Sequence, residues 1–147
     1  MIVTKIVLEK SKKDYIILTE WEKKHNIESI LDMCLLVNES SNFDIFYLFT
    51  ENEVLVDSLM NIAVENSVII KYREDYTEKL IKKFIYNEID DFKSNFDEYS
   101  DISLLDDFYK KNINIDIILD KMLDNGKESL TEKDYAVLND SSMARIN

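Results

Sequence analysis

The chain has 147 residues, 46% of them hydrophobic, and sets 18 Lys/Arg against 30 Asp/Glu for a net charge of −12. That is the size of one domain with enough apolar material for a real core, and the acidic balance argues against direct binding to a phosphate backbone, which needs the opposite field. Proline is absent and Gly126 is the one glycine, which excludes phosphate-cradling loops, dinucleotide fingerprints and nucleophile elbows, because each needs glycine where the backbone approaches a ligand or takes positive φ.

Cys34 is the sole cysteine, so neither an internal disulfide nor a cysteine-based zinc site is available. The apolar start Met1–Leu8 is cut short by Glu9 and Lys10, too early for a signal peptide, and no stretch approaches the roughly 18 uncharged residues of a membrane span. A cytoplasmic location is expected.

In chain order, residues 2–9 are rich in β-branched types and read as a strand. Two readings fit the next segment. In the first, Ser11 and Asp14 form a capping box and Tyr15, Leu18, Trp21 and His25 recur at helical spacing. In the second, Asp14–Thr19 is a strand and the helix starts at Thr19. The Ser-Lys-Lys turn lacks the usual hairpin residues, which favours the first. Residues 30–37 read as a second strand, followed by the polar turn Asn38–Asn42. Phe43–Phe49 is short, aromatic and apolar on both faces, so it belongs inside a sheet. Thr50 then caps a helix whose inner stripe is Leu55, Leu59, Ile62 and Ala63, and Val68–Tyr72 is a further strand. The order β-α-β-β-α-β over residues 2–73 predicts an α+β, ferredoxin-like fold: a four-stranded antiparallel sheet with two helices on one face. The other face needs covering, either by a third helix starting at Thr77 (Leu80, Ile81, Phe84, Ile85 and Ile89 inward) or by a second copy of the chain. The third helix is favoured, and the chain is expected to be a monomer or homodimer.

The chain divides into a core over 1–75, an acidic helical segment over 76–110 and a C-terminal helical hairpin over 111–147. In the hairpin, Ile115, Ile118, Leu119 and Met122 form one helix stripe, Gly126 ends that helix in a left-handed cap, and Thr131 with Asp134 caps the next, with Leu130 and Tyr135 as a hydrophobic staple. The segments Leu119-Asp120-Lys121, Gly126, Ser129-Leu130-Thr131 and Leu138 resemble a short helical-hairpin module, of pattern ILDKI…G…SLT…E…L, that ends many bacterial proteins. The resemblance covers residues 113–140, implies a bacterial origin and carries no chemistry with it.

No catalytic, cofactor-binding or metal-binding residue is assigned. An EF-hand centred on Gly126 would put Lys121 and Leu123 at ligand positions, where neither can bind calcium. His25 suits a helix C-terminus and Cys34 a small core position. The best pointer is the stretch 87–107, with eight acids against Lys93. Its residues Glu88, Asp90, Asp91, Phe92, Phe96, Asp97, Glu98, Tyr99, Asp106 and Asp107 are the candidate partner-binding set, with the aromatics packed inward or offered as anchors. The leading functional expectation is a non-enzymatic protein-interaction or regulatory module with a protein partner. The alternatives are an acidic nucleic-acid mimic of the anti-restriction, anti-CRISPR or immunity type, and a small-molecule sensor or small enzyme. A pocket containing His25, or a clustered pair of carboxylates, would favour the last.

Overall fold

A computed structural model describes residues 1–37, 42–98 and 100–146, with side chains through residue 140. The protein is α+β. Strand β1 (Ile2–Glu9) is followed by helix α1 (Asp14–His25), a short 3₁₀ turn at Ile30–Asp32, β2 (Cys34–Leu36), β3 (Phe43–Thr50), α2 (Glu53–Glu65) and β4 (Ile70–Asp75). The four strands form one sheet in the order β2-β3-β1-β4, and each neighbouring pair is antiparallel.

Strand alternation divides the apolar residues between two cores. Ile6, Leu8, Cys34, Phe46 and Leu48 face α1 and α2, where they meet Ile17, Trp21, Val56, Leu59 and Ile62. Val3, Leu35, Tyr47 and Phe49 face the other way, onto α3 (Thr77–Ile85), α4 (Ile89–Lys93), α5 (Ser103–Asn112) and α6 (Ile115–Asn125). The second face of the sheet is therefore covered from within the chain, by α3 together with the helices after it. Helix α3 is tied to β1 directly: Val3 N–H donates to Thr77 Oγ1 at 3.0 Å and Tyr76 N–H donates to the Val3 carbonyl at 2.8 Å. The outer edge of β2 is met by Phe96 and Ser100, through a Val37–Phe96 bridge and a Leu36 N–H to Ser100 Oγ bond of 2.9 Å.

Residues 14–19 are helical, and Ser11 N–H donates to Asp14 Oδ2 at 3.2 Å as half of a capping box. The helix is rotated from its expected phase. Ile17 and Trp21 are buried, whereas Tyr15 is 79% exposed, because Trp21 fixes the rotation by donating its indole N–H to the Leu55 carbonyl at 2.9 Å. Tyr15 lies about 120° from Trp21 around the helix. Residues 30–32 form the 3₁₀ turn rather than strand, capped by Ser29. The expected turn at 38–42 lies, apart from Asn42, outside the described residues. Thr50 is the last residue of β3, paired with Ile2, and Asn52 caps α2 by accepting from Val54 N–H at 3.0 Å. β4 begins two residues later than expected, since Val68 packs beneath α2 as loop and Ile70 with Tyr72–Asp75 makes the ladder instead, Lys71 lying at a register shift.

In the C-terminal hairpin, Gly126 has φ 87° and ψ 159°, a positive-φ extended conformation rather than the left-handed helical cap. A side chain there would meet Glu128 Oε1 at 2.8 Å. The inward residues of α6 are Ile118 and Lys121, while Leu119 is exposed. Helix α7 (Glu132–Ile146) begins with a reciprocal capping box: Thr131 N–H donates to Asp134 Oδ2 at 2.9 Å and Asp134 N–H to Thr131 Oγ1 at 3.2 Å.

Candidate ligand-binding cavity

A cavity of about 450 Å³ opens between α1, the 3₁₀ turn and the β1-β3-β2 part of the sheet. Its walls are apolar, with Leu8, Ile17, Leu18, Leu36, Phe43 and Phe46 among them. Its charged lining comprises Asp14, Asp44, Asp97 and Lys10. A concave, mainly apolar space with a few convergent polar groups is the usual form of a small-molecule site.

The two nearest carboxyls come from different elements. Asp14 opens α1, and Asp44 lies on β3 opposite Leu8. Alternation along β3 points Asp44 the same way as Phe46 and Leu48, into the α1 side of the sheet. Asp14 Oδ2 accepts from Ser11, but Oδ1 is buried without a donor among the described residues. Burial, then the hydrogen bond to Asp14 and its negative charge, push the Asp44 carboxyl up to about 7, and Lys10 opposes them. A protonated Asp44 carboxyl is the kind of donor that Asp14 Oδ1 lacks, so the raised carboxyl and the unpartnered oxygen fit one hydrogen bond from Asp44 to Asp14. Cys34 also lines the cavity, with burial raising its thiol to about 12; it stays neutral and is not an activated nucleophile. His25 lies outside the cavity lining, its Nε2 2.7 Å from Ser58 Oγ on α2.

The partner-binding candidates separate. Phe92 and Phe96 are buried, edge-on to each other and to Tyr47 on the sheet, so these two rings serve as core. Glu88, Asp90, Asp91, Glu98 and Asp107 are exposed, with Glu88 paired to Lys83, and Asp106 is partly buried and paired to Lys133. Asp97 alone of the set reaches the α1-side cavity, its N–H donating to the Leu36 carbonyl at 2.8 Å. Asp91, Phe92 and Phe96 line a smaller recess of about 310 Å³ on the opposite face, beside Lys5 and Lys83. Tyr99 lies outside the described residues.

Sequence reasoning singles out neither Asp44 nor Asp14 as a site residue. A usable signal is nonetheless present: Asp44 is an acid at an inward position of an otherwise apolar internal strand, where an unpaired carboxylate is costly.

A second buried polar group holds the C-terminal hairpin in place. Lys121, 3% exposed, donates to Asp134 Oδ2 at 2.7 Å, Asn87 Oδ1 at 2.8 Å and the Phe84 carbonyl at 3.2 Å, while Tyr109 OH donates to Asp134 Oδ1 at 2.5 Å. All three Lys121 donors and both Asp134 oxygens are satisfied, the condition under which a buried ion pair is tolerated. Burial raises the Asp134 carboxyl, but the bonds from Lys121, Thr131 and Tyr109 together bring it below the usual carboxylate range. This network is a structural clamp, closed to ligands.

Among the described residues, no group of three His, Cys, Asp or Glu is arranged to hold a metal ion, and no helix is long and apolar enough to cross a membrane. No family model, curated protein or solved structure matches the chain.

Proposed function

We propose that the chain is a non-enzymatic regulatory module of ferredoxin-like fold that senses a small, mainly apolar molecule in the α1-side cavity and signals to a protein partner in the cytoplasm. The observation that carries this reading is the 450 Å³ apolar cavity with the carboxyls of Asp14 and Asp44 in its lining. The order β-α-β-β-α-β and the antiparallel sequence β2-β3-β1-β4 support the fold assignment. The neutral Cys34 thiol and the packing of His25 away from the cavity support a binding rather than a catalytic role. The acidic exterior of α4 and α5 is the proposed partner surface, and the C-terminal hairpin is the proposed example of the bacterial module it resembles. Nucleic-acid mimicry gains less support, because Lys83 and Lys133 neutralise two of the carboxylates it would use.

Titrating the isotope-labelled protein with 1-octanol tests the sensing role. Amide shifts should gather on Leu8, Ile17, Leu36 and Phe43, and Leu18→Trp, which fills the space from α1, should abolish them. Shifts scattered over the surface, or unchanged in Leu18→Trp, would remove the basis for a sensor. Neutralising Asp90, Asp91 and Asp107 to Asn should weaken capture of a host protein without changing octanol binding.

A further inference from the structure

We infer that the natural ligand is an amine: an apolar body lying between α1 and the sheet, with a protonated amino group seated against Asp14 and Asp44. This rests on the proposed cavity function and adds the chemistry of the ligand's polar end.

The walls set the body. Leu8, Ile17, Leu18, Leu36, Phe43 and Phe46 offer no strong hydrogen-bonding side chain, so whatever lies against them is hydrocarbon or aromatic. The charges set the head. Three carboxyls, Asp14, Asp44 and Asp97, line the space against the single ammonium of Lys10. A carboxylate or phosphate ligand would meet the negative charge held by the Asp14 and Asp44 carboxyls. A neutral alcohol could fill the space but would leave the carboxyl pair as it stands. An ammonium does more, because it supplies several donors together with a positive charge, and Asp14 Oδ1 is a buried acceptor with no donor among the described residues.

The arrangement also fixes what happens to the shared proton. The Asp44 carboxyl is raised to about 7, so below neutrality it carries a proton that it can donate to Asp14. When an ammonium takes its place, the proton leaves Asp44 for solvent and both carboxyls become anionic partners of the cation. No bond other than O–H breaks and no electrons are transferred. Binding therefore releases protons near and below neutrality, and stops doing so once Asp44 is already ionised.

Matched probes of one chain length, n-octylamine, 1-octanol and octanoate, separate this inference from the cavity reading. Calorimetry is run at pH 6 and pH 8.5, in two buffers of different ionisation enthalpy. Octylamine should bind at least about tenfold more tightly than octanol at pH 8.5, the scale of one charge-assisted hydrogen bond. It should release a proton at pH 6 and not at pH 8.5, and octanoate should be weakest. The double variant Asp14→Asn/Asp44→Asn should lose the amine preference and the proton release. Asp90→Asn/Asp91→Asn controls for general attraction to an acidic protein and should keep both. Equal binding of octylamine and octanol by the wild type, or a preference that survives in Asp14→Asn/Asp44→Asn, overturns the amine inference and leaves the cavity reading standing. Binding of none of the probes overturns the cavity reading itself.

Discussion

At the scale of single residues, two acids inside this protein are held in opposite states by their partners. Asp134 is kept ionised by Lys121, Thr131 and Tyr109, so the stability it contributes is present above the ordinary carboxylate pKa and is lost as pH falls through its lowered value. Lys121→Met would strand that carboxylate in the core and should cost about 3–5 kcal/mol at pH 7 by urea unfolding. The deficit should shrink on acidification towards pH 3, where Asp134 can accept a proton instead. Asp44 shows the reverse linkage. Its carboxyl is raised to about 7, so its contribution is complete below the ordinary carboxylate range and disappears as pH climbs through 7. Asp44→Asn, which keeps the neutral form at every pH, should therefore gain in thermal midpoint over wild type between pH 5.5 and pH 8.5. A constant difference across that range would show that Asp14 and Asp44 do not share a proton. Gly126 is a third case, a backbone requirement. Its φ of 87° with ψ of 159° is a region essentially reserved for glycine, so Gly126→Ala should destabilise the protein by about 1–3 kcal/mol, measured by the same unfolding assay.

At the scale of elements, the two ends of the β3–α2 connection give a paired prediction. Asn52 caps α2, whereas Thr50 is buried in the sheet with no hydrogen-bond partner for its hydroxyl among the described residues. Asn52→Ala should cost about 1 kcal/mol, while Thr50→Val should be neutral or stabilising by up to about 1 kcal/mol, since it removes an unsatisfied buried group of similar volume. The sequence Thr50-Glu51-Asn52-Glu53 contains two good caps, and composition cannot choose between them. The choice depends on how far β3 pairs with β1, which is long-range information. The same distinction explains which other elements are legible in the sequence. β3 can be recognised because an aromatic run needs burial on both faces, and the Thr131–Asp134 box because its partners are three residues apart. The start of β4 is misjudged because an edge strand is held by its ladder to β1 more than by its own hydrophobicity: Lys71-Tyr72-Arg73-Glu74-Asp75 does not look like a strand in isolation. The cavity cannot be foreseen, as Asp14 and Asp44 meet only through the packing of α1 on the sheet.

At the scale of the whole molecule, the sheet divides two cores, and the helices after β4 complete the second. Tyr47 and Phe49 on the sheet pack against Phe92, Phe96 and Phe108, so these three phenylalanines of the acidic segment turn inward. A fragment ending at Asp75 would bare Val3, Leu35, Tyr47 and Phe49, and should aggregate or self-associate instead of giving a stable monomer in size-exclusion light scattering. The central place of β1 has a further consequence for how the chain is born. β1 leaves the ribosome before either of its neighbours, residues 43–50 on one side and 70–75 on the other. At synthesis rates of about 5–20 residues per second, Ile6 and Leu8 would wait for several seconds before their second neighbour was made. During that interval β1 is an unpaired, sticky strand, and a chaperone that binds extended apolar segments would find purchase on residues 2–8 until Asp75 has emerged, and hardly at all afterwards.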